Sequence, residues 1–226
     1  LEQEGEKFKL WNPTMKLVSI LRIATAMSYL HSNGILHRDI NPRNIFLDDY
    51  FLPKLGGFFL SIFLNDKLKD DSKEPICTAP YMAPEIWSNC EYSKASDVYA
   101  FAICIYEILT GELVYRDKSD TEIMLLAYFK KERPKFKESF PKCYQQLIER
   151  CWSDDPKERP SFDDIVNELI TNKDFITSEI DEELYQAHID IYKKELEGID
   201  TTSMKNQLIS EDQRAHIYNK IQSVIE

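Results

Sequence analysis

The chain has 226 residues, 43% hydrophobic and 30% charged, enough apolar material for one sizeable core or one core with an appendage. Its formal net charge of −11 argues against nucleic acid or an anionic membrane as a partner held by bulk charge. Five cysteines, Cys77, Cys90, Cys104, Cys143 and Cys151, form no C-x-x-C pair, so no zinc spacing arises and free thiols in a reducing, cytoplasmic compartment are expected. The first residues, LEQEGEKFKLW, are charged and hold no signal-like apolar run. The longest apolar run, Val98 to Leu109, is too short for a bilayer and contains Glu107.

In chain order, Asn12 and Pro13 read as the cap and first residue of a helix. Leu17, Ile20, Leu21, Ala24 and Met27 recur along it at helical spacing, and Gly34 ends it. The runs NIFL and FLPKL flank Asp48 and Asp49 and predict a small hairpin. Residues from Leu64 to Pro80 are polar and irregular, which predicts a long exposed loop. ASDVYAFAICIYEILTG is apolar on nearly every face and closes at Gly111, the pattern of a helix buried all round. Capping boxes pair Ser119 with Glu122, Ser161 with Asp164 and Ser210 with Gln213, and Pro141 opens a further helix through YQQLIERCW. After Asn172 acidic residues outnumber basic ones roughly two to one. One apolar stripe there joins Ile180, Leu184, Ala187 and Ile191, and a second joins Ile217, Ile221, Val224 and Ile225. The expected fold is mainly α, with very little strand.

The stretch HRDINPRN, His37 to Asn44, resembles the catalytic loop of protein kinases, H-R-D-L-x-x-x-N. Further segments follow in the family's order. TAPYMAPE resembles the end of the activation segment, SDVYAFAICIYEILTGELVY the buried helix after it, and CWSDDPKERPSF the late segment that carries an arginine. The spellings YMAPE and RCW…RP are most similar to the tyrosine-kinase-like group, whose members usually phosphorylate serine or threonine. The resemblance implies a kinase C-terminal lobe over residues 1–172, a helical bundle with a small β-hairpin, followed by an acidic helical tail over 173–226. The glycine-rich loop and the V-A-I-K strand of the small N-terminal lobe have no counterpart in these residues.

The resemblance places Asp39 at the catalytic base and Asn44 at a metal-binding asparagine, and sets Asn44 and Phe46 beside the nucleotide. His37 and Arg38 flank the base. The family's lysine, two residues after the aspartate, is Asn41, a dipole in place of a charge. Arg43 either restores part of that charge or serves as a surface salt-bridging residue. The family triplet D-F-G aligns with Gly57-Phe58-Phe59: the metal-binding aspartate is replaced by Gly57, the family glycine by Phe59, and Phe58 keeps the role of packing beside His37. Magnesium relies on one or two carboxylates plus phosphate, so losing one removes most of its hold. Gly57→Asp is expected to return a ligand beside Asn44.

Structural residues are implied in the same way. Glu85 would form a buried ion pair with Arg159, Asp97 would accept backbone hydrogen bonds from the catalytic loop, and Trp152 would pack nearby. Ser72 and Thr78 are candidate phosphoacceptors in the loop. The expectation is a catalytically deficient kinase-like module that binds other proteins, with no certain cofactor. One alternative is an ATP- and magnesium-dependent serine/threonine kinase whose N-terminal lobe lies outside these residues. Another is a non-functional gene fragment.

Overall fold

The computed structural model describes residues 11–48, 52–64 and 78–198. Helix α1, Pro13–Ser32, starts where Asn12 accepts a hydrogen bond from the Met15 N–H at 3.0 Å, with Pro13 at the first position. Leu17, Val18, Ile20, Leu21, Ile23, Ala24 and Met27 are all buried along it, each contributing about 1–3 kcal/mol of apolar burial. Gly34 takes a left-handed φ of +71°, open to glycine without strain, and turns the chain into β1, Ile35–Leu36.

The hairpin is present. Strands β2, Ile45–Leu47, and β3, Pro53–Leu55, pair antiparallel with Phe46 opposite Lys54. A second pairing was not foreseen: β1 runs antiparallel to β4, Ile62–Phe63, with Ile35 opposite Phe63. The short helix α2, Pro84–Asn89, precedes α3, Lys94–Thr110. Every residue of α3 from Ser96 to Glu107 is buried, and Gly111 closes it at φ +70°. Its cap is a Ser93–Ser96 box in which each side chain accepts from the other's N–H, a serine pairing outside the acid-or-glutamine rule.

The Ser119–Glu122 box opens α4, Asp120–Met124, which continues as a π-turn over Leu125–Phe129. Pro141 precedes α5, Lys142–Cys151, and the Ser161–Asp164 box opens α6, Phe162–Thr171. The box expected at Ser210 and the stripe from Ile217 lie outside the described residues. Helix α6 packs on α1, and α5 packs on α3. At the first junction the Phe162 ring meets His31 and Phe101 edge-on at 5.0 and 5.2 Å. Among the described residues Cys104, Cys143 and Cys151 are free thiols, and no helix is long and apolar enough to cross a membrane.

The chain divides into two compact units after Ile180. The first continues beyond Asn172 because Phe175, fully buried, meets the Tyr144 ring edge-on at 5.1 Å, and the Tyr144 hydroxyl donates to the Phe175 carbonyl. The second unit contains α7, Glu182–Gly198, whose first turn is capped by Asp181 accepting from the Leu184 N–H. The apolar residues of this helix divide between two faces. Leu184 and Ile191 are 38% and 45% exposed, whereas Tyr185 and Ile189 are buried. Both sets satisfy a helical period, and the face with the large aromatic is the one removed from water.

Candidate active site

The loop from Leu36 to Asn44 is built around Asp97, which is 2% exposed on the first turn of α3. One Asp97 oxygen accepts from the His37 N–H and from the His31 ring Nε2, both at 2.9 Å, and the other accepts from the Arg38 N–H at 2.9 Å. Three donors satisfy a carboxylate that would otherwise be costly to bury. They also hold Arg38 at a left-handed φ of +69°, a conformation unfavourable for a residue with a Cβ. The Arg38 guanidinium lies over the Tyr92 ring at 4.1 Å.

His37 is fully buried. Its Nδ1 accepts from the Asp39 N–H at 3.2 Å, so Nε2 carries the proton and donates to the Gly56 carbonyl at 2.8 Å. Burial holds its pKa below the ordinary 6.5, partly offset by the nearby charge of Asp97. The imidazole thereby ties the catalytic loop to the Gly56–Gly57 turn, and the Phe58 ring packs on it at 5.1 Å.

The Asp39 side chain is held from several directions. Its Oδ1 accepts from the Asn41 amide at 3.0 Å and the Thr78 hydroxyl at 2.8 Å, and its Oδ2 accepts from the Asn44 amide at 2.7 Å. Asn41 and Asn44 also donate to the Asp39 carbonyl. Asn41 is thus buried and used internally, accepting from the Arg43 N–H as well, while Arg43 itself is exposed. Thr78 turns its hydroxyl toward Asp39.

This corrects the end of the expected exposed loop. Ala79 is buried, and a 3₁₀ turn runs over Ala79–Tyr81. The Tyr81 hydroxyl donates to Glu107 at 2.7 Å, and Glu107 also accepts from the Val114 N–H. Burial raises the pKa of Glu107, and the two hydrogen bonds oppose the rise. Residues 65–77, including Ser72, lie outside the described residues.

At the aligned D-F-G position, Gly57 adopts φ +76°. A Cβ built there would collide with the Asn44 carboxamide. A side chain at residue 57 therefore requires the Asn44 carboxamide to move aside. A Cβ on Gly56 would come 2.7 Å from the Phe46 ring, which covers that turn and is 59% exposed. Phe59 is 76% exposed. Among the described residues no group of three His, Cys, Asp or Glu side chains is arranged to hold a metal ion.

Away from this edge, Glu85 and Arg159 form a two-pronged ion pair at 2.7 and 2.9 Å, with the Arg159 side chain fully buried. Arg159 also donates to the carbonyls of Ser153 and Ala95, so its hydrogen-bonding capacity is met by three segments of the chain. The guanidinium groups of Arg133 and Arg159 each lie 5.2 Å from the Tyr99 ring. Trp152 is buried nearby against Tyr106 and Phe136. His31 and Tyr81 were not anticipated from sequence. The available signals were a histidine in the last turn of a buried helix and a tyrosine beside two prolines, both too common to read alone.

Fold and loop together define the larger, helical lobe of a phosphotransferase fold. The family model for protein tyrosine and serine/threonine kinases matches residues 4–169, and the chain belongs to that family. It is 35% identical over 168 residues to dual specificity protein kinase pyk3 of Dictyostelium discoideum, covering 74% of this chain and 12% of that protein. It is 36% identical over 158 residues to serine/threonine-protein kinase 12 of Arabidopsis thaliana, covering 66% and 34%. A protein kinase and PP2C-like domain-containing protein of Arabidopsis thaliana is 32% identical over 193 residues, covering 70% and 29%. The chain thus spans no more than about a third of the length of these relatives.

Proposed function

We propose that this chain is a protein-kinase C-lobe whose phosphoryl-transfer chemistry is deficient and whose retained surface serves binding to other proteins. The observation that carries the reading is Gly57. Where the family aligns an acid that holds magnesium, this chain has no side chain, and Asn44 occupies the adjacent space. The residues present do not fit a magnesium ion, which needs hard oxygen ligands and usually a carboxylate. Asn41 in place of the family lysine removes a second element of charge neutralisation, the main contribution a protein makes to this reaction.

The test is transfer of labelled γ-phosphate from ATP, to the chain itself and to a generic protein substrate, beside a thermal-shift titration with magnesium and ATP. The expected result is no incorporation and no saturable stabilisation. Incorporation that disappears in Asp39→Asn would overturn the reading.

A second reading, an active serine/threonine kinase that works together with an N-terminal lobe, draws support from one observation. The candidate base Asp39 keeps an ordered carboxylate, set by three donors, on a loop whose framework is intact. Fusion to a competent N-lobe separates the two readings. A fused parent that is already active and is silenced by Asp39→Asn supports the enzyme, and a fused parent that folds but stays silent supports the deficient module.

A further inference from the structure

We propose that the cavity where α1, α3 and α6 meet is a receiving pocket for one neutral, hydrogen-bond-donating aromatic side chain of a partner protein. The inference rests on the protein-binding reading only for the identity of that occupant. The cavity has a volume of about 220 Å³ and is lined by His31, Lys94, Val98, Pro160, Phe162 and Asp163 among others, none of them on the catalytic loop. Pockets for drug-sized ligands run to about 300–1,000 Å³, so this one suits a single side chain.

The chemistry of the occupant follows from His31. The residue is 6% exposed, and its Nε2 donates to Asp97 at 2.9 Å. In the neutral ring Nδ1 is then the acceptor. It has no hydrogen-bond partner among the described residues, yet it is not sealed in the core. A buried acceptor left unpaired costs free energy, which a donor entering the cavity would recover. The neighbouring polar groups are already committed. Arg159 serves Glu85 and two carbonyls, the Ser161 hydroxyl donates to Asp164, and Asp163 accepts from the Ser28 hydroxyl.

Charge and shape narrow the class. Lys94 and Asp163, both exposed, carry opposite charges, so a net charge on the occupant loses to one what it gains from the other. Val98 and Pro160 supply apolar walls, and the Phe162 ring, edge-on to His31 at 5.0 Å, sets an aromatic surface beside the acceptor. A ring that carries an N–H or O–H meets both demands: its body buries against the walls while its donor reaches Nδ1. That combination is what enriches tryptophan and tyrosine at interfaces.

The test titrates the full chain with indole and with benzothiophene, a bicyclic ring of similar shape that lacks the N–H, and follows the His31 Nδ1 resonance by ¹⁵N NMR. Indole is expected to bind saturably, to move that resonance in the direction of an accepted hydrogen bond, and to bind about fivefold tighter than benzothiophene. Equal affinities or an unmoved His31 resonance would overturn the proposal. Inorganic phosphate that displaces indole from the same resonances would also overturn it, because the cavity would then be an anion site.

A blocking variant locates the binding. Ala95→Leu adds bulk to a residue that lines the cavity and should abolish saturation by indole. Undiminished binding by the folded variant would overturn the cavity as the site. If the variant does not fold, the two probes on the parent chain decide alone. No readout uses ATP or magnesium, so a failure here is distinguishable from a failure of the deficient-site reading, which is decided by label transfer.

Discussion

The base of the lobe and the edge at Gly57 lie in one compact unit but differ in how they are built. At the base, each charged group has partners chosen for it: Arg159 meets Glu85 and two carbonyls, and Asp97 meets three donors. At the edge, the position that the family fills with an acid is bare, and a neutral amide takes over the space. Framework and metal-site residues are therefore built separately in this lobe: the partners that position the loop are all in place, while residue 57 carries no side chain.

The strongest way to break this comparison is at the base. Arg159→Ala leaves Glu85 without its partner in a largely buried position, which should cost about 3–5 kcal/mol. The unfolding midpoint should fall by roughly 10 °C, while the exposed control Lys157→Ala should shift it little. Equal, small shifts would mean that the pair is solvated and the base is no better built than the edge.

Next in size is Asp97→Asn. The amide keeps one acceptor oxygen, so at least one of the three donors loses its partner. The expected cost is about 2–3 kcal/mol, read by urea denaturation. The His37 and Arg38 amides should then exchange faster with solvent, because the left-handed turn at Arg38 is no longer held.

The smallest effect concerns the link between the two regions, His37. Its folded pKa lies below the unfolded value near 6.5, so the unfolded state takes up the proton first. This contribution to stability is complete above about pH 6.5 and is lost as pH falls toward the depressed folded pKa. Protonation also turns Nδ1 into a donor and removes its bond from the Asp39 N–H. His37→Gln should cost about 1 kcal/mol or less at neutral pH. It should also flatten the fall in midpoint between pH 6.5 and 5 relative to the parent. Parallel pH profiles for the two proteins would show that His37 does not couple the loop to the Gly56–Gly57 turn.

Much of the framework was legible in the sequence because it rests on local chemistry. Asn12-Pro13, the Ser119 and Ser161 boxes and Gly111 each signal a helix end through donors and acceptors a few residues apart. The Glu85–Arg159 pair was legible only through the order of motifs, since nothing local joins residues so far apart. The β1–β4 pairing was not legible, because two-residue strands carry no alternation to read. The buried face of α7 was not legible, because two apolar sets share one period. At Gly57 the missing carboxylate could be read directly, but the Asn44 amide in its place could not. That contact depends on a positive φ and on the hairpin bringing residues 44 and 56 together.

The proposed function sets an intact framework beside an edge that holds no metal ion. Titrating the folded chain with Mn²⁺ and following the free-ion electron paramagnetic resonance signal, with and without ATP, tests it most directly. The protein is expected to remove no more free ion than ATP alone removes. A saturable loss of signal approaching one ion per chain, weakened by Asn44→Ala, would contradict it.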